Sequence, residues 1–239
     1  MATTKSEQDD LNKKLWDMCN SFRGKIDSSE YKDYILTMLF IKYISDVWDG
    51  HLEEYRQRFG NDDERIKRKL KRERFIIPDG CTFYDIYEKR DSTDVGEEIN
   101  KAMMAIEDEN KEKLENVFRN IDFNSEAKLG NTKERNKLLK DFLNDFIDVD
   151  LESYMSGDHD VIGNSYEYLI SKFASDSGKK GGEFYTPREV SQLLALLLEP
   201  KGNEKVCDPT CGSGSLLIRV ANKVNSGNVA LFGQEMNGS

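Results

Sequence analysis

The sequence predicts two parts: an α-helical N-terminal domain over residues 1–155, and over 156–239 the beginning of an α/β domain built on a parallel sheet. Three observations carry this. Apolar residues recur at helical spacing through the first part, as in Leu11, Leu15, Met18, Cys19 and Phe22. After a polar, glycine-rich joint at 175–182, short extended segments alternate with helical ones, the pattern of a parallel sheet with crossover helices. One such segment, Val206-Cys207-Asp208, ends in an acid and enters the turn Gly212-Ser213-Gly214, which opens onto a helical apolar pattern from Leu216.

The elements follow in order. Ser28-Ser29-Glu30 is a cap before a broad apolar face over 34–48, which predicts the central helix of the first domain. Arg65, Lys67, Arg68, Lys69, Lys71, Arg72 and Arg74 form a dense basic run on a further helix. Residues 74–80 read as an extended piece, because Pro78-Asp79-Gly80 sets turn geometry. Helices are predicted over 95–107, 132–147 and 163–174. Beyond the joint come a helix over 187–198, a strand over 204–207, a helix over 213–224 and a strand over 229–233. Thr186 is expected to cap the first of these helices, with Pro187 in its first turn. These add up to about one and a half strand–helix–strand units, too few for an independent doubly wound sheet. The sequence is therefore expected to be part of a longer protein.

Composition narrows the function classes. The net charge of −10 argues against a surface that binds nucleic acid all over, but leaves room for a local basic face. No apolar run is long enough to span a membrane, and residues 1–10 are polar rather than signal-like. Cys19, Cys81, Cys207 and Cys211 match neither a zinc pattern nor a disulfide framework, and read as reduced thiols of a cytoplasmic protein. His51 and His159 lack partners for a metal site or a triad, and the acids at 107–109, Asp145, Asp148 and Asp150 read as solvated faces. No metal site is expected.

The turn at 212–214 carries the chemistry. Glycine tolerates positive φ and lets a ligand lie against the backbone, while the next helix aims free amides at it. A dinucleotide site would offer a third glycine and seat a pyrophosphate, but Leu217 stands in that position and Asp208 precedes the turn. An acid at the mouth suits a cationic ligand better, such as S-adenosylmethionine with its ammonium and sulfonium groups. Glu235 ends the second strand, where nucleotide-binding folds place a carboxylate for ribose hydroxyls, roughly twenty residues after the turn. Upstream, Glu183-Phe184-Tyr185-Thr186-Pro187-Arg188 joins two aromatics to a helix N-terminus able to hold a carboxylate. Taken singly, each element has a plain reading: a generic glycine turn, a solvated acid, a capped amphipathic helix.

In this order the three elements resemble those of the amino-methylating DNA methyltransferases, and more narrowly the modification subunits of type I restriction–modification systems. The segments 163–174 and 40–45 are also similar to that family. The resemblance implies a Rossmann-like methyltransferase domain with S-adenosylmethionine as methyl donor and adenine N6 in double-stranded DNA as acceptor. It implies a specificity subunit, a second modification subunit and a restriction subunit as partners. It carries cofactor contacts over to Glu183, Phe184, Tyr185, Thr186, Pro187, Arg188, Ser213, Gly214, Ser215 and Glu235, with Asp208 and Gly212 completing the loop. The family's catalytic Asn-Pro-Pro-aromatic motif is absent: the four prolines are Pro78, Pro187, Pro200 and Pro209. Residues 1–239 are accordingly expected to be a fragment, inactive alone, with weak or no cofactor binding. Two rivals stay open, a non-catalytic module that docks a specificity subunit and clamps DNA, and a cytosine-N4 methyltransferase. The basic run has two readings as well, a DNA-phosphate contact or a solvated helix balanced by Glu64 and Glu73.

Overall fold

The computed structural model describes residues 5–22, 26, 28–149, 151, 161–176, 186–212, 214–224 and 229–236. The chain divides into two compact units, Met1–Leu169 and Ile170–Ser239. Among the described residues no helix is long and apolar enough to cross a membrane.

The first unit is helical: α1 (Lys5–Met18), α2 (Ser28–Phe59), α3 (Asp63–Leu70), α4 (Phe83–Glu88), α5 (Val95–Glu109), α6 (Lys111–Leu114), α7 (Glu126–Leu129), α8 (Thr132–Ile147) and the first half of α9 (Val161–Asp176). Its core is a cluster of aromatic rings from helices distant in sequence. Phe22 meets Phe142 of α8 edge-to-face at 4.8 Å, and Tyr34 of α2 meets Phe123 in the same way at 5.0 Å. Such pairs add to the stabilisation from burial alone. Close packing also explains one glycine in α5. A Cβ on Gly96 would lie 2.4 Å from the Phe123 carbonyl oxygen, so any side chain there would push α5 off the following loop.

The central helix is longer than its apolar face. Periodicity supports 34–48, but α2 continues to Phe59 through Leu52, Glu53, Glu54, Arg56, Gln57 and Arg58, all good helix formers. Gly60, at φ +61°, then reverses the chain, and Asp62 caps α3 by accepting the Arg65 amide at 3.1 Å. α4 went unforeseen. It is a short helix with a reciprocal capping box between Thr82 and Asp85, a signal too local for periodicity to register.

The extended piece expected over 74–80 is not found as a strand: residues 73–75 bend, 76–78 have no regular secondary structure, and 79–80 turn. A side chain takes the place of a partner strand. Asn110, 5% exposed, accepts the Ile76 amide through Oδ1 at 2.8 Å and donates Nδ2 to the Ile76 carbonyl at 2.7 Å. Asn110→Ala strands both backbone groups and is expected to cost about 2 kcal/mol, read as a lower urea midpoint with an unchanged slope.

The second unit contains α10 (Arg188–Leu198), β1 (Lys205–Asp208), α11 (Ser215–Lys223) and β2 (Ala230–Gly233). The strands pair in parallel, Lys205 opposite Ala230 through Asp208 opposite Gly233. α11 is the crossover between them, so strand–helix–strand alternation produces the parallel geometry that the sequence predicts. Helix α10 starts one residue later than expected. Pro187, not Thr186, occupies the cap position, and no side chain caps it. The Pro187 carbonyl accepts the Ser191 amide at 3.0 Å instead, which moves the Thr186 hydroxyl one position too far back to cap.

Candidate functional site

The register of β1 against β2 builds the site. With Asp208 opposite Gly233, the two strand ends leave the sheet side by side, and hydrogen bonds continue past it. The Gln234 amide donates to the Asp208 carbonyl and the Cys211 amide to the Gln234 carbonyl, each at 2.9 Å. These bonds carry Glu235 to the glycine turn, where its Oε2 accepts the Gly212 amide at 2.9 Å. Its Oε1 accepts the Met236 amide at 2.8 Å. Residues 23 apart in sequence thus meet through a carboxylate and a backbone amide.

The turn has the geometry its glycines allow. Gly212 and Gly214 adopt φ of +52° and +74°, where a Cβ is costly. A Cβ on either would meet nothing within 4 Å, so backbone conformation is the requirement and the space beside both residues is open. The Gly214 amide donates to the Cys211 carbonyl at 2.8 Å, and Gly214 caps α11, its carbonyl accepting the Ile218 amide at 3.0 Å. Ser215 is the first residue of that helix, where backbone amides have no intrahelical partner. Asp208 Oδ1 accepts the Thr210 amide at 3.0 Å and so holds the entry to the turn.

The electrostatics follow from this arrangement. Two carboxylates, Asp208 and Glu235, stand at the carboxyl end of a parallel strand pair beside a helix N-terminus. That pair of acceptors suits a ligand bearing both a cation and hydroxyl groups, and repels a pyrophosphate.

The other expected residues are placed as follows. Thr186 is half-buried and Pro187 exposed at the start of α10, and Arg188 is its first residue. Glu183, Phe184, Tyr185 and Ser213 lie outside the described residues, as does the Arg188 side chain. Helix α10 packs on α11, and Arg219 Nε of α11 donates to Ser191 Oγ of α10 at 2.8 Å. The helix after the aromatic-Thr-Pro segment is thereby tied to the helix after the glycine turn.

Sequence reasoning overlooked Cys211 and Gly233. A Cβ on Gly233 would come within 2.8 Å of Cys211 Sγ and 3.3 Å of Leu217 Cδ1. In a dinucleotide site a third glycine in the turn lets helix and strand approach; here Leu217 is large, and the close approach is made at Gly233. The available signal was a glycine at a strand end, two residues before Glu235.

Known proteins are similar to this chain over most of its length. The HsdM N-terminal domain family matches residues 11–146, and the N-6 DNA Methylase family matches 157–239. The chain is 30% identical to the type I restriction enzyme MpnII methylase subunit of Mycoplasma pneumoniae, over 99% of this chain and 49% of that protein. It is 33% identical to the type I restriction enzyme MjaVIII methylase subunit of Methanocaldococcus jannaschii, over 87% of this chain and 35% of that one. Among solved structures, the type I restriction-modification system methyltransferase subunit of Streptococcus thermophilus superimposes with a TM-score of 0.79 at 30% identity, covering 96% of this chain and 53% of the other. The chain thus spans about half the length, or less, of the relatives it matches.

Proposed function

The chain belongs to the family of type I restriction enzyme methylase subunits, and from that premise we propose that its parent protein methylates adenine N6 in double-stranded DNA. S-adenosylmethionine supplies the methyl group, held on a sulfonium that makes it open to direct attack by a nitrogen lone pair. The observation that carries the reading is the meeting of Glu235 with the Gly212 amide at the end of a parallel strand pair.

The residues present fit that cofactor. Glu235 is the acceptor for its ribose hydroxyls, a role in which a carboxylate already fixed by two backbone amides loses little further freedom. Asp208 faces its cationic end. Gly212 and Gly214 supply the open backbone against which it lies, with Ser213 and Ser215 as further contacts. Glu183, Phe184, Tyr185, Thr186, Pro187 and Arg188 complete the pocket, the aromatics as walls and the α10 N-terminus as the seat of a carboxylate. The helical domain takes residues 1–155 and the methyltransferase domain begins at 156. A specificity subunit, a second modification subunit and a restriction subunit are its partners, in the cytoplasm.

Extruding the target base and orienting its amino group falls to an Asn-Pro-Pro-aromatic motif, which residues 1–239 do not contain. Residues 1–239 by themselves are therefore expected to transfer no methyl group. The test is a pair of measurements on the complete subunit with its specificity partner: calorimetric titration with S-adenosylmethionine, and incorporation of labelled methyl into cognate duplex. Binding with N6-methyladenine as product supports the proposal. Binding without turnover favours a non-catalytic assembly module, and N4-methylcytosine as product favours the cytosine enzyme.

A further inference from the structure

The end of the α2–α3 hairpin is densely basic. Residues 56–74 hold nine lysines and arginines against four acids, in a chain whose net charge is −10. Packing sets which way they point. Ile66 and Leu70, 3% and 6% exposed, bury the inner face of α3 against α2, which turns Arg65, Lys67, Arg68 and, just after the helix, Lys71 and Arg72 to solvent. Among the described residues none of these cations is ion-paired to a carboxylate.

Two of the four acids in this stretch are engaged elsewhere. Glu73 turns back to α2, where Tyr55 donates its hydroxyl to Oε1 and His51 Nδ1 lies 3.0 Å from Oε2. The Tyr55 phenol is pushed up to about 12, chiefly by that hydrogen bond, because ionising would set two anions together. Asp62 caps α3 and Asp63 and Glu64 occupy its first turn, so acids gather at one end of the helix and cations at the other. Phe59 holds two guanidiniums near one ring, Arg65 at 4.2 Å and Arg58 at 5.5 Å from its centroid. Like charges are thus kept close, at a cost that an anionic ligand would relieve.

We propose that this hairpin end, from Arg58 to Arg72, is a docking surface for the phosphate backbone of double-stranded DNA. The surface lacks what a protein partner would require. No large apolar side chain is exposed between residues 53 and 83, whereas protein interfaces centre on aromatic and aliphatic anchors and are poor in lysine. A lysine- and arginine-rich face without apolar anchors binds phosphates through counterion release and reads no sequence, which leaves target reading to other parts of the assembly.

The inference rests on the reading that the parent protein acts on DNA, but binding is measured without methyl transfer, so the two can fail separately. The complete methylase assembly is compared with a Lys67→Gln, Arg68→Gln, Lys71→Gln, Arg72→Gln variant for binding to a duplex lacking the target sequence, across a salt series. The expected result is a plot of log affinity against log salt that is shallower by about three to four units, since each phosphate left without its cation takes away about 0.9. A charge-keeping variant (Lys67→Arg, Arg68→Lys, Lys71→Arg, Arg72→Lys) is expected to retain the original slope. An unchanged slope in the glutamine variant overturns the proposal. So does equal loss of slope in both variants, which marks a fold defect, and so does loss of subunit assembly with the slope intact, which marks a protein interface.

Discussion

Asp46→Ala is expected to destabilise the helical unit by about 3–5 kcal/mol, because it leaves a buried ammonium without its counter-ion. Lys42 and Asp46 lie one turn apart on α2, 1% and 5% exposed. The ammonium donates to both carboxylate oxygens, at 2.7 and 2.6 Å, and to the Tyr84 hydroxyl at 3.1 Å. Tyr84 in turn donates to Asp46 Oδ1 at 2.8 Å, and Ser45 Oγ accepts the Phe83 amide at 2.8 Å. This closed set fastens the start of α4 to the middle of α2. Its members satisfy one another, so the network is worth more intact than its parts suggest. Urea denaturation of the single variant should show most of the loss. The double variant Lys42→Met, Asp46→Asn, which removes both charges and keeps volume, should recover a large share of it. A single variant as stable as wild type would mean that solvent reaches Lys42.

The second large effect is on cofactor binding. Glu235→Ala in the complete subunit is expected to weaken S-adenosylmethionine about 10- to 100-fold, the value of one to two hydrogen bonds to a charged acceptor. Glu235→Gln keeps one oxygen for the Gly212 amide but loses the charge and the acceptor for the Met236 amide, so it should fall between wild type and the alanine variant. Calorimetry reads both. Circular dichroism checks the fold, which should be unaltered because Glu235 is exposed and beyond the last residue of β2. Unchanged affinity in Glu235→Ala would remove this residue from the site.

Much of the architecture was legible because it rests on local chemistry. α8 is found at the residues its periodicity predicts, and α5 and α9 within a few residues of theirs, since apolar spacing sets which face of a helix can be buried. The strand–turn–helix at 205–223 was legible because positive φ at two positions demands glycine. What escaped had no periodic signal. The last turns of α2 are mostly polar, with only Leu52, Tyr55 and Phe59 to mark a face, and are held by propensity and by the packing of α3. The irregular segment at 74–78, which local turn chemistry alone made look like an extended piece, is held by Asn110, a single side chain 34 residues from Ile76.

The sequence by itself determined the class of the protein: a helical domain followed by a parallel α/β segment, with the residue types of an S-adenosylmethionine loop in the order that marks a methylase subunit. Hydrophobic spacing and backbone steric limits act on neighbours, and are therefore written along the chain. Only the tertiary structure decided which residues act together. Pairing of β1 with β2 brought Glu235 to Gly212, the packing of Leu217 and Cys211 placed the steric demand on Gly233, and the turning of Glu73 toward Tyr55 left the basic hairpin unbalanced. Each depends on residues far apart in sequence meeting at close range, and no one-dimensional pattern encodes that distance.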